Sequence, residues 1–157
     1  MNRVTTRIVI ALLLLTSVAG LATSWTLAVR TALPGAEENT VLISRVEAYL
    51  EARIRSERSG FAVAAVRPFL SGDALTDAET FETSKPSAVE GLAAAEPIKV
   101  VVLIRGGTTA LVQAAGTLSD VFGDHPFAEQ YLMHSATVDG ENVWLIDSVF
   151  RLVTPNK

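Results

Sequence analysis

The side chains that could do chemistry in this sequence are few and loosely grouped. His125 lies between Asp124 and Pro126, and His134 follows in the next apolar stretch. Two imidazoles fall short of the three or four ligands that a metal site needs. Asp120 and Asp124 are spaced by one helical turn. General acid–base work would need such a pair in a cleft with shifted pKa values; at the polar end of a helix they read as solvated. With His125 they form the one set from which a hydrolase could be built. Gly106-Gly107-Thr108-Thr109 precedes a stretch that reads as a helix, where N-terminal N–H groups favour anions. It lacks the P-loop lysine and the three-glycine spacing of a dinucleotide site, so turn and cap account for it. Asp147 and Arg151 read as an ion pair along one side of a strand. No serine sits in a G-x-S-x-G elbow. The absence of cysteine removes disulfides, thiolate metal sites and a Cys nucleophile. The expectation is a chain with no catalytic residue, cofactor or metal, acting through binding.

The elements that would carry these residues follow from periodicity. Asn39 or Thr40 can cap a helix running to about Arg58. Its stripe is Leu42, Val46, Tyr49, Leu50 and Ile54, and Gly60 supplies its left-handed stop. Residues 61–66, FAVAAV, read as a strand that Pro68 ends or confines to an edge. Residues 71–84 are polar and acidic and read as the least structured part; Ser87-Ala88-Val89-Glu90 is a capping box for a short helix to Ala95. Residues 98–105, IKVVVLIR, make the strongest strand, and their near-continuous apolar run places it mid-sheet. A helix is predicted from Thr108 to Phe122, burying Ala110, Leu111, Ala114, Leu118, Val121 and Phe122, with Gly123 as its stop. Residues 129–138 form a strand, and Asp139-Gly140 turns it into a hairpin. In the last strand Trp144, Ile146, Phe150 and Leu152 are the expected core face. The sum is an α+β sandwich in the order αββαββ, with one sheet face under two helices and an insertion at residues 71–96.

Ahead of this lies a different kind of segment. Of 157 residues, 49% are hydrophobic, and residues 8–29 carry no charge. At about 1.5 Å per residue such a helix crosses a hydrocarbon core of roughly 30 Å. The expected organisation is a leader at residues 1–7, a membrane anchor at 8–30, a linker at 31–38 around Pro34-Gly35, and a domain at 39–157. A cleaved secretory signal is the alternative, with Gly20-Leu21-Ala22 as the cleavage site. Arg3 and Arg7 keep the N-terminus cytoplasmic, so either reading exports the domain. Every charge before Glu37 is basic: Arg3, Arg7 and Arg30. Without them, ten Lys and Arg face 17 Asp and Glu, a net charge of −7. Such a surface repels phosphate backbones, which excludes nucleic acid as a partner.

Surfaces for protein partners are of two kinds. Part of the stripe Leu42, Val46, Tyr49 and Leu50 could meet a neighbouring helix rather than its own sheet. The strand with Phe61 and Val63, or the one with Tyr131, could offer an open edge to a partner strand.

This order behind one membrane span resembles the M protein of type II secretion systems and the O protein of type IV pilus assembly. The likeness rests on an apolar strand (residues 100–104), Gly106, a helix with Leu111 and Leu118 inward, Pro126 and a hairpin (residues 131–152), with the helix at residues 41–54 and Gly60 before them. The resemblance implies a ferredoxin-like periplasmic domain in the bacterial inner membrane. It implies an assembly role in protein transport, with a second single-span membrane protein as partner in a homo- or heterodimer, and pseudopilins as further partners. Against this scaffold reading stand a soluble periplasmic module released by signal cleavage and a hydrolase built on Asp120, Asp124 and His125.

Overall fold

The structure, a computed structural model, describes residues 35–152. The expected leader, membrane segment and start of the linker lie outside them. No helix among the described residues is long and apolar enough to cross a membrane. Contacts divide the chain into a unit of residues 1–38 and a unit of residues 39–157, and the second carries the fold that follows.

The domain is α+β, with its helices first and its strands last. Helix α1 (Ala36–Arg58) leads to a single turn, α2 (Val63–Val66), then a 3-10 turn (Arg67–Phe69) and α3 (Gly72–Thr83). Five strands follow: β1 (Ala93–Ala94), β2 (Lys99–Gly106), β3 (Thr109–Asp120), β4 (Gly123–Val138) and β5 (Glu141–Arg151). The pairings between these five strands are antiparallel. β3 pairs with β4, and β4 with β5; on its other side β3 takes β1 and β2 one after the other. The expected alternation αββαββ is therefore replaced by three helices and a meander.

Helix α1 forms as its stripe predicts. Leu42, Val46, Tyr49 and Leu50 are buried, at spacings that keep one side of a helix against a sheet. Gly60, at φ +87°, takes the left-handed conformation after the last turn. The Ser56 hydroxyl accepts the Ala62 N–H at 2.8 Å and fixes the reversal.

Three segments differ from expectation. Residues 63–66 are helical, not extended: Val63 and Val66 are buried three residues apart, the helical spacing, and the Glu82 carboxylate accepts the Val63 N–H at 2.8 Å. Residues 71–96 are not a loose insertion, since α3 lies there with Ala74 buried against the core. The short helix expected after Ser87 is absent, and the segment instead runs into β1. The stretch from Thr109 to Asp120 is a strand with Ala110, Val112 and Ala114 buried at period two. Its alanines and leucines favour helix by only a few tenths of a kcal/mol each, and pairing with strands on both sides outweighs that.

The hairpin at Asp139-Gly140 forms as predicted, with φ +53° and +86°. Val138 pairs with Glu141 and Thr137 with Asn142, so the turn is complete in two residues. Beyond it, the register shifts in β5 between Ile146 and Ser148. One extra residue in a strand reverses the faces of those that follow. Ile146 stays in the core and Trp144 touches it, but Val149 replaces Phe150 against it; Phe150 and Leu152 are exposed.

Candidate functional site

Seven residues were expected to meet partners, and the fold draws nearly all of them inward. Leu42, Val46 and Tyr131 are fully buried; Tyr49, Leu50 and Val63 are close to it. Phe61 is half-buried and stacks edge-on against Phe81, with centroids 5.0 Å apart. The α1 stripe thus covers its own sheet. Phe61 and Val63 lie outside any strand, and Tyr131 lies on β4, which has a neighbour on each side.

The ionisable residues named from sequence sit in turns and strands. Asp120 and Asp124 end β3 and begin β4, with Asp120 opposite Gly123. The Asp120 carboxylate accepts the Phe122 N–H at 2.7 Å and lies 3.1 Å from His125 Nε2. The Phe122 N–H, then the His125 contact, hold this carboxyl below its ordinary pKa. Asp124 accepts the Ser119 hydroxyl at 2.5 Å. These bonds close a two-residue hairpin whose tip exposes Val121 and Phe122. Gly106-Gly107 likewise begins a hairpin, not a helix: Gly107 has φ +55° and Gly106 pairs with Thr109. Asp147 does not pair with Arg151. It occupies the bulge, 3.7 Å from His134 Nδ1, and its carboxylate lies against Gly72. Among the described residues no three His, Asp or Glu side chains converge as metal ligands.

What sequence reading missed is an ion cluster between α1 and β4. Arg53 Nη1 donates to both oxygens of Glu129, at 3.0 and 2.9 Å, and Arg53 Nε donates to Glu57 at 2.8 Å. The Tyr131 hydroxyl donates to Glu129 at 2.6 Å. Arg151 adds a longer contact of 3.5 Å from the rim. The Glu129 side chain is 5% exposed. Burial alone would lower the pKa of Arg53, but the carboxylates of Glu129 and Glu57 outweigh it and hold the guanidinium above its ordinary value. Burial, with Glu129 beside it, pushes the Tyr131 phenol well above the tyrosine range. Tyr131 therefore stays protonated and donates. The signal was present: Arg53 continues the α1 stripe four residues after Tyr49, and Glu129 is in phase with Tyr131 and Met133. One charge of each sign on two apolar stripes implies a buried pair.

Above this cluster opens a cleft of about 840 Å³ between α1, α3 and β5, walled by Phe61, Phe81 and Val149. Arg53 and Glu57 on its floor answer each other at hydrogen-bond distance, and among the described residues no buried polar side-chain atom lacks a partner. Such a floor is suited to holding α1 on the sheet.

The accessible features are elsewhere, on the sheet. β2, expected at its middle, lies at its edge, beside β3 alone among the described residues. Val101, Leu103 and Ile104 are 47%, 45% and 66% exposed. On the outer face two cross-strand rows follow from the registers, one of Val101, Gln113, Gln130 and Phe150 and one of Ile104, Leu111, Leu132 and Ser148. The opposite edge is closed: Ser71 donates its N–H to the Ile146 carbonyl at 2.9 Å, and Arg45 Nε donates to the Trp144 carbonyl at 3.0 Å. Comparison of the chain with family models, curated proteins and solved structures finds no match.

Proposed function

We propose that the chain is a binding protein without catalytic activity, held at a membrane by residues 8–29 and presenting residues 39–152 outside the cytoplasm. The observation that supports this most is the placement of β2: the most apolar strand lies at the sheet edge, with three large hydrophobic side chains in solvent. Exposed apolar edges recruit strands and are otherwise blunted by natural proteins. The paired state of Arg53, Glu57, Glu129 and Tyr131 agrees with a structural interior. Asp120, Asp124 and His125, the alternative hydrolytic set, are occupied in closing a hairpin.

The finer reading is an inner-membrane component of a type II secretion or type IV pilus-like platform, partnered by another single-span protein. Its support is the sequence resemblance, with an anchor and a small α+β domain in common; the helices-first order departs from the ferredoxin-like alternation that the resemblance implies. Affinity capture of the tagged full chain from solubilised membranes tests both levels. The expected result is an intact N-terminus in the membrane fraction and co-recovery of a second membrane protein. A processed, freely soluble chain would leave the released-module reading instead. Alanine replacement of Asp120, Asp124 and His125 together is expected to leave complex formation unchanged.

A further inference from the structure

We propose that the cleft between α1, α3 and β5 is a separate binding site, which takes a short apolar peptide by its two charged ends. This goes beyond the partner reading above and holds whether or not β2 recruits a strand. Three observations lead to it: the size of the cleft, its apolar walls, and two groups of opposite charge left open on different walls.

The cleft encloses about 840 Å³, within the roughly 300–1,000 Å³ that small-ligand sites occupy. Phe61 and Phe81 meet edge-on in its wall, and β5 contributes Val149. On α3, Ala74 and Ala78 face it one turn apart and are too small to fill it. Phe81 stays 44% exposed beside this space, so an apolar group entering it would bury ring surface that the fold leaves wet.

Charge then selects the ligand class. Arg53, Glu57, Asp77 and Arg151 line the cleft. Arg53 and Glu57 answer each other, and Arg53 also holds Glu129. The other two are left over. Asp77 has no ion pair among the described residues. Arg151 reaches Glu129 through Nε alone, at 3.5 Å, and the Glu129 oxygens already take Arg53 and the Tyr131 hydroxyl at 2.6–3.0 Å. A lone anion would meet Asp77 and Glu57, and a lone cation would meet Arg151 and Arg53; like charges so placed oppose binding. A molecule with one charge of each sign answers both open groups and leaves the balance unchanged.

The separation of the two groups selects a peptide. Asp77 belongs to α3 and Arg151 to β5, and packed elements stand about 10 Å apart. In a free amino acid the two charges flank a single carbon and cannot reach both walls. An extended peptide gains about 3.3 Å per residue, so its terminal ammonium and carboxylate match that span at three residues. Its carboxylate meets Arg151, whose planar fork suits it, and its ammonium meets Asp77. An apolar middle side chain packs between Phe61, Phe81 and Val149.

The probe is the tripeptide Ala-Phe-Ala, titrated calorimetrically into the full chain in detergent solution. The expected result is saturable binding at one site. N-acetylation removes the ammonium and C-terminal amidation removes the carboxylate. Each should weaken binding about fivefold, the most that an exposed charge pair supplies. Asp77→Asn should abolish the penalty of acetylation, and Arg151→Gln that of amidation. Ala78→Trp, whose larger side chain occupies the cleft, should remove binding, whereas Val101→Lys on β2 should leave it unchanged. No saturable heat by about 5 mM peptide overturns the proposal, as does an affinity indifferent to both end groups. Binding that survives Ala78→Trp, or that is lost in Val101→Lys, places the peptide elsewhere and overturns it too.

Discussion

β3 and β2 lie side by side and reverse the usual relation between composition and place. β3 contains three alanines and a glycine and reads as a helix, yet it has neighbours along both edges. β2 contains three valines, a leucine and an isoleucine, and lies at the rim. The registers give the reason. On the inner face Ala110 stands opposite Met133, and Ala114 stands opposite Glu129. Small side chains on β3 leave room for the long ones of β4 and for the Tyr49 and Arg53 side chains of α1. Large residues at those positions would separate the helix from the sheet. A central strand can thus be poor in β-formers when its neighbours supply the volume. A strand rich in them at the edge has apolar surface left over.

The sharpest way to break this contrast is a charge in the middle of the sheet. Ala114 is fully buried, and Ala114→Lys forces an ammonium beside the Arg53–Glu129 pair with no space for it. The expected cost is about 4 kcal/mol or more, a large share of a typical domain stability of about 5–15 kcal/mol. Circular dichroism of the full chain in detergent solution should show loss of the cooperative unfolding transition. A native-like transition would mean that β3 is not the centre of the sheet.

Next in size is the cluster that the small β3 residues accommodate. Glu129→Gln keeps the shape of the side chain but removes the charge that answers Arg53. Breaking a buried pair on one side costs about 3–5 kcal/mol; with Glu57 still 2.8 Å from Arg53, about 3 kcal/mol is expected. The urea midpoint should fall accordingly, while Arg151→Gln, at the exposed rim, should move it by less than about 0.5 kcal/mol. Equal effects from the two would contradict the assigned burial.

Legibility in the sequence follows the same division. The α1 stripe, the Gly60 stop, the Asp139-Gly140 hairpin and the strands at residues 98–105 and 129–138 were readable because each rests on local rules. The αββαββ order failed at residues 63–66 and 109–120, where alanine-rich stretches fit either period and the outcome was set by distant partners. Those partners are Glu82 for Val63, and the strands flanking β3. The inner face of β5 was misread past Ile146 because the bulge at Asp147 leaves no mark in composition. The ion cluster was readable in phase but not in pairing, since nothing local links Arg53 to Glu129.

The bulge offers a test of the closed edge, the counterpart of β2. Gly72 opens α3 at φ +49°, with the Asp147 carboxylate against it. Gly72→Ala adds left-handed strain of roughly 1–2 kcal/mol and pushes Asp147 aside. A destabilisation of about 2 kcal/mol is expected from the urea midpoint. Adding Asp147→Ala should recover only the steric part, because the backbone strain remains. Full recovery in the double variant would mean that the strain at Gly72 contributes nothing.

The smallest effect is the most telling, because it introduces the same residue as the largest on a neighbouring strand. Val101 stands on β2 one residue from Val100, which pairs with Ala114, and it is 47% exposed. Val101→Lys replaces a β-branched residue with a poorer strand former, yet its ammonium remains in water. Within one chain the expected loss is below about 1 kcal/mol. In dilute detergent solution the unfolding midpoint should stay near that of the unaltered chain, in contrast to the collapse from Ala114→Lys. A large loss at infinite dilution would place Val101 inside the fold and remove the distinction between the two strands.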